Sequence, residues 1–244
     1  MTETEFLASY DPVSFPRPSV TVDLVLATVR NGRLAVLLQQ RHDHPFRDHW
    51  ALPGGFVGIA EGLDGAAERV MLAKAGLSAS QWLEQLYTFG DPARDPRTRV
   101  LTVAYYALLP GAVLNGALDA RDDLVLADLA VPWSGERGGP VTALDPEGDR
   151  LALAFDHAEI LGTAVRRLRG KLGYAPIAFA LLPELFTLRA LQEVHEAILG
   201  VPLNKPAFRR RMLDRGWLAG TGEREQGTSY RPAELYRFNP QAGD

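Results

Sequence analysis

Residues 52–77, LPGGFVGIAEGLDGAAERVMLAKAGL, decide how the first half of this 244-residue chain is read. Pro53, Gly54 and Gly55 form a chain-breaking cluster. A helix follows, from about Leu63 to Ala75. Upstream, Val20 to Val29 (VTVDLVLATV) is β-branched and apolar, Asn31-Gly32 is a hairpin turn, and Arg33 to Gln40 returns as a second strand. Asp43 to Trp50 reads as a loop. Downstream, Leu86 to Phe89 and Val100 to Leu109 are further strands around a loop, Gly90 to Arg99, rich in Asp, Pro and Arg. The first half is therefore expected to be a sheet carrying one or two helices.

The quoted stretch resembles the Nudix box, the signature of enzymes that hydrolyse a nucleoside diphosphate linked to another group. Gly55, Glu61, Arg69, Met71, Gly76 and Leu77 fall in register with that pattern. The three core glutamates do not, because those positions hold Val70, Ala73 and Lys74. An ordinary amphipathic helix does not account for Leu-Pro-Gly-Gly leading straight into so many matched positions. The resemblance implies an α/β/α sandwich with a mixed sheet. In that family the carboxylates hold Mg²⁺, a cation that demands oxygen ligands, and polarise the pyrophosphate for attack by water. Val70 and Ala73 remove ligands, and Lys74 places a positive charge where the cation would sit. Glu61 and Glu68 remain, but a helix turns by about 100° per residue. Glu68 therefore cannot stand in for a carboxylate two positions later. We expect no metal site and no catalytic residue.

With 46% apolar residues, the chain can build a proper core. No cysteine is present, which excludes disulfides and thiolate metal sites. The start, MTETEFLASYDPVSF, is acidic and lacks an apolar run, unlike a signal peptide. Apolar stretches fall far short of the ~20 residues needed to span a bilayer. A cytoplasmic protein is expected. Charge divides unevenly: residues 1–150 carry 13 Lys+Arg against 20 Asp+Glu, and residues 151–244 carry 13 against 10. A basic second half is one sign of a nucleic-acid-binding segment.

That second half begins after a Gly/Pro/Asp-rich boundary stretch, residues 132–150. Asp156 as N-cap and Glu159 three positions on form a capping box, which starts a helix over 156–170. Arg166, Arg167, Arg169 and Lys171 at its end suit the helix dipole. Thr187 caps a second helix to Leu199, where Leu188, Leu191, Val194, His195 and Ile198 follow helical spacing and Gly200 ends the run. Asn204 caps a third, Lys205 to Arg215, with Phe208, Met212 and Leu213 turned inward. Trp217 to Thr221 and Leu235 to Phe238 are short strands around a polar loop. Two helices, a short turn and a hairpin make a winged helix-turn-helix. The third helix holds five cations against Asp214 alone. A helix entering a DNA groove needs cations toward phosphates and long polar side chains toward base edges.

Both halves together resemble the Nudix-related transcriptional regulators (NrtR). The likeness runs through residues 17–23, the box, 155–161, 186–200, 204–213 and 235–238, nearly the whole chain. It implies an effector-sensing domain over 1–150, and a linker helix with a DNA-binding domain over 151–244. It also implies a repressor of NAD-metabolism genes that binds operators as a homodimer and releases them on binding ADP-ribose, with no cofactor required. Two alternatives are a weakly active Nudix ADP-ribose pyrophosphatase and a regulator answering to a sugar-derived phosphorylated ligand. Arginines are expected to hold the effector pyrophosphate in place of the lost metal: Arg41 and Arg47 before the box, Arg97 and Arg99 in the loop. Trp50, Phe56 or Tyr105 would stack on adenine, with Gly54 and Gly55 lining the site. His157 reads as structural. For DNA the candidates are Thr187, Arg189, Asn204, Lys205, Arg209, Arg210 and Arg211, with Arg224 and Arg231 in the wing.

Overall fold

The computed structural model describes residues 1–11, 13–78, 83–226 and 232–243. A short helix α1 (Glu3–Ser9) precedes the first strand. Strands β1 (Ser19–Arg30) and β2 (Arg33–Gln40) pair antiparallel through a turn with positive φ at Asn31 and Gly32. Next come β3 (Trp50–Ala51), β4 (Gly54–Phe56) and the box helix α2 (Leu63–Ala75). Then follow β5 (Glu84–Phe89), β6 (Val100–Leu108), α3 (Gly111–Asp119), β7 (Leu124–Ala130) and β8 (Thr142–Leu144). The sheet runs β5-β6-β1-β2-β7-β8, with β3 beside β2 and β4 beside β1. Among the described strands β1 and β6 pair parallel and the other strand pairs of this sheet are antiparallel, so the sheet is mixed.

Alternation along β1 sorts its side chains onto two faces. Val22, Leu24 and Leu26 pack with α2 and α3, through residues such as Ala66, Val70, Met71 and Leu114. Val25 and Ala27 face the opposite way, toward α4 (His157–Lys171). That second cluster continues without a break into the second half of the chain: α5 (Leu188–Leu199), α6 (Lys205–Asp214) and a small sheet. The small sheet orders as β10-β11-β9, from β9 (Phe186–Thr187), β10 (Leu218–Arg224) and β11 (Glu234–Phe238). Phe179 stacks on Phe238 at 4.6 Å and meets Phe186 and Trp217, an aromatic plug under the hairpin.

Several expectations shift. The stretch 132–150 is more than a boundary loop: β8 pairs with β7, and Leu144 bridges Arg150. It also packs tightly on α4, where a Cβ on Gly162 would collide with the Gly139 carbonyl. Leu213 is exposed rather than inward, because Phe208 and Met212 alone fill the buried stripe of α6. The helix α3 and strand β7 were not foreseen. No helix among the described residues is long and apolar enough to cross a membrane.

Candidate functional site

A cavity of about 180 Å³ opens on the α4 side of the sheet. Its floor is β1, through Thr21 and Asp23; Gly54, Gly55 and Phe56 form one wall, and Arg94, Asp95 and Arg97 another. Arg41, Phe155 and His157 close it. Gly54 is required by geometry: a Cβ there would collide with Asp23 Oδ1 and crowd the Val22 carbonyl. Thus the Pro-Gly-Gly break lets the backbone approach a buried carboxylate.

Charges in the cavity are interlocked. Arg94, nearly fully buried, donates to both oxygens of Asp156 at 2.9 and 2.7 Å and reaches Asp23 Oδ2 at 3.4 Å. Burial is the largest single influence and works against its charge, but the hydrogen bonds to Asp156 together with the charges of Asp156, Asp23 and Asp95 outweigh it and raise its pKa. Arg97 grips Asp95 through two bonds, at 3.0 and 2.7 Å, which hold that carboxyl below its usual range. Arg41 differs. It donates to the Pro45 and Asp43 carbonyls, and among the described residues no carboxylate forms an ion pair with it. Burial and the neighbouring Arg97 lower its pKa. The guanidinium of Arg41 lies 4.9 Å over the Phe155 ring, and Arg97 lies 5.9 Å over the same ring and 5.6 Å over Phe56. Two cations crowd around aromatic faces, a setting that an anion would relieve.

Of the nine expected effector contacts, Arg41, Gly54, Gly55, Phe56 and Arg97 line this cavity; Arg47, Trp50, Arg99 and Tyr105 do not. Tyr105 is displaced for a simple reason. Its side chain lies on the α2 face of the sheet, buried, with its hydroxyl donating to Asp64 at 2.6 Å. Trp50 is half-buried against the core, and Arg47 and Arg99 are exposed outside the cavity. Sequence reasoning missed Thr21, Asp23, Arg94, Asp95, Phe155 and His157. Asp23 did leave a signal, as the one charge inside an apolar strand. His157 is structural as expected, yet it also belongs to the cavity. Its Nδ1 accepts from the Leu52 amide at 2.9 Å, which leaves Nε2 to carry the proton, 3.8 Å from Asp23 Oδ1. Burial lowers its pKa, in keeping with a neutral ring.

The expected capping box at α4 is not formed. Asp156 is the N-cap residue but makes no side-chain cap, because Arg94 occupies its carboxylate. At the far end of α4, where cations were expected to suit the helix dipole, two of them have fixed partners. Arg169 is buried and donates to the Ile198, Trp133 and Gly135 carbonyls, and Lys171 binds Glu84.

Just before the box helix, Glu61 is committed. Arg69 holds both its oxygens, at 2.6 and 2.7 Å, and the Gly58 amide adds a third bond. Arg69 and Gly58 together lower its pKa to about 2. Val70 is buried, facing Gly55. Glu68 and Ala73 are exposed, and Lys74 sits half-buried in the last turn. This donor set does not suit a hard divalent cation, which needs several free oxygens in one shell. Among the described residues no group of three His, Asp or Glu is placed to hold a metal.

On the DNA-binding half, Thr187 caps α5 through the Ala190 amide at 3.1 Å and Asn204 caps α6 through the Ala207 amide at 3.0 Å. Lys205, Arg209, Arg210 and Arg211 are exposed along α6, with Arg211 over Phe208 and Arg209 against the Tyr236 hydroxyl. Arg189 pairs with Glu193 on α5. Arg224 ends β10 and donates to the Pro232 carbonyl; Arg231 lies outside the described residues. Arg215, counted among the cations of this helix, turns back to the carbonyls of Leu172 and Gly173 instead.

Fold and site together define a Nudix α/β domain joined through one helix to a winged helix-turn-helix. Residues 18–132 match the NUDIX domain family, and residues 178–238 match the NrtR DNA-binding winged helix domain. The chain is 37% identical to the ADPR responsive transcriptional repressor NtrR of Acinetobacter baylyi, covering 97% of this chain and 88% of that one. Shewanella oneidensis NrtR, solved with a 27mer DNA, superposes with a TM-score of 0.71 at 33% identity, over 92% of this chain and 95% of that one. The NUDIX domain of the same Shewanella protein, solved with ADP ribose, matches 69% of this chain and 99% of its own length, with a TM-score of 0.50 at 32% identity. This chain belongs to the NrtR family of Nudix-related transcriptional regulators.

Proposed function

We propose that this protein is an ADP-ribose-responsive repressor of NAD-metabolism genes, acting in the cytoplasm as a homodimer on a palindromic operator. Its Nudix half is a sensor and not a hydrolase. The observation that carries the reading is the Arg41–Arg97 pair, two crowded cations over aromatic rings, in a chain that also presents the basic face of α6. A pyrophosphate satisfies Arg41 through a bidentate guanidinium contact, while Arg97, whose Nε and Nη2 bind Asp95, has Nη1 left to donate, with no metal needed. Glu61 is spent on Arg69, which argues against the pyrophosphatase alternative. The ADPR response named for the Acinetobacter relative and the ligand of the Shewanella NUDIX domain support ADP-ribose as effector.

DNA contact falls to α6, whose capped N-terminus presents amides to a phosphate while its cations face outward. A single winged helix reads few bases, so two copies are expected, with recognition helices about 34 Å apart or a multiple of that. The test pairs two assays. Mobility shift on the DNA upstream of the protein's own gene should show a complex that ADP-ribose dissolves. Incubation with ADP-ribose and Mg²⁺ should show no turnover; rates around 1 s⁻¹ or more would sink the sensor reading.

A further inference from the structure

We propose that Arg94 and Asp156 form the protein's switch: a diphosphate ligand in the cavity takes the Arg94 guanidinium, and the released Asp156 turns to cap α4. The inference rests on the sensing role proposed above and names how that site is regulated.

Asp156 has two partners written into the chain. The first is the start of α4, since Asp156 and Glu159 have the spacing of a capping box. The second is Arg94, which holds both carboxylate oxygens in the structure. The two are mutually exclusive here. At Asp156 φ is −95° and ψ is 21°, whereas a side-chain cap needs the extended region. The preceding residue, Phe155, has φ of 51°, a left-handed conformation uncommon for a bulky side chain. The backbone entering α4 is thus held away from its ordinary capped geometry, and the ion pair is what holds it.

The cavity supplies the trigger. At about 180 Å³ it is smaller than the ~300 Å³ or more of ordinary ligand clefts. A nucleoside diphosphate sugar cannot enter without displacing part of the wall. Arg94 is the wall group whose partner has somewhere else to go. Phosphate oxygens match the guanidinium fork as well as a carboxylate does, so a pyrophosphate drawn in by Arg41 and Arg97 competes directly with Asp156. A ligand shifts an equilibrium only through contacts that differ between the two states, and this exchange is such a contact.

The same helix carries the change outward. Near its far end, Arg169 donates to the Ile198 carbonyl at the close of α5. Just past the helix, the Leu172 and Gly173 carbonyls accept from Arg215, which follows α6. Both helices of the DNA-binding motif are therefore fastened to α4. Any reorientation of its N-terminus reaches them through packed contacts.

The test uses the full-length protein and ADP-ribose. Calorimetric titration should show Asp156→Asn and Asp156→Ala binding ADP-ribose at least about fivefold tighter than the wild type, the low end of ordinary coupling, because neither keeps the two-oxygen carboxylate that holds Arg94. In the wild type, hydrogen exchange of the Ala158 and Glu159 amides should slow on adding ADP-ribose. That slowing should vanish in Asp156→Ala, which cannot cap. If the wild type binds ADP-ribose but both variants bind no more tightly, or its α4 amides do not respond, the switch is overturned and the sensor stands. If the wild type does not bind ADP-ribose at all, the sensor reading falls and the switch with it.

Discussion

The cavity and the face of α6 both gather arginines, yet they hold them in opposite ways. In the cavity, Arg94 is buried and bound to two carboxylates, and Arg97 is bound to a third. On α6, Lys205 and Arg210 are exposed and enter no ion pair among the described residues. Buried charges with fixed partners are pre-organised and costly to disturb. Exposed charges on long stems cost little to hold and adapt to a phosphate backbone. The difference assigns the work. A compact, defined anion belongs in the cavity, and an extended polyanion belongs against α6.

Breaking the cavity network should have the largest effect. Arg94→Ala leaves Asp156 and Asp23 without their shared cation in a buried setting. Removing one member of such a pair costs about 3–5 kcal/mol. Denaturant unfolding should report a loss of that order, accompanied by weaker ADP-ribose binding. A variant as stable as the wild type would show that the network is solvated and carries no structural weight.

The α6 side should respond in a different currency. Arg209→Ala and Arg210→Ala should each weaken operator binding by roughly 1–3 kcal/mol if the residue reads a base. A phosphate contact instead gives a loss uniform across sequences and a shallower salt dependence. Stability of the Arg210 variant should stay within about 0.5 kcal/mol of wild type, as for other exposed positions. ADP-ribose affinity in the free protein should not change. Wild-type operator binding by both variants would remove α6 as the reading helix.

The two regions also differed in how far they could be read from sequence. The α6 face was legible because its signals are local: Asn204 as cap, Phe208 and Met212 at helical spacing, and cations on the remaining positions. The box helix and the β1–β2 hairpin were legible for the same reason. The cavity was only half legible. Asp23, Arg94, Phe155 and His157 converge from segments as far apart as β1 and the start of α4, and no spacing records that convergence. Tyr105 was misplaced because alternation along β6 decides its face, and the choice depends on which side α2 covers. Asp156 shows a local signal overruled: its capping box is present in the sequence, but tertiary pairing with Arg94 wins. Helix α3 escaped notice because Gly111 and Gly116 dilute its helical signal, and β8 because it is three residues inside a Gly/Pro-rich stretch.

The smallest effect should come from the box itself, and it sharpens the contrast most. Glu61 is the surviving carboxylate in register with the hydrolase pattern, so an active enzyme would depend on it. Here it lies outside the cavity and serves Arg69 and the Gly58 amide. Glu61→Gln keeps the shape and can still accept from Gly58, while losing the charge that Arg69 holds. An exposed ion pair of this kind contributes little to stability. ADP-ribose affinity and the release of operator DNA should therefore be unchanged, with and without Mg²⁺. Titration in both conditions checks this directly. A marked fall in affinity, or binding that requires Mg²⁺ in the wild type and loses that requirement in the variant, would return the box to the effector site. The arginine-centred account of the cavity would then be wrong.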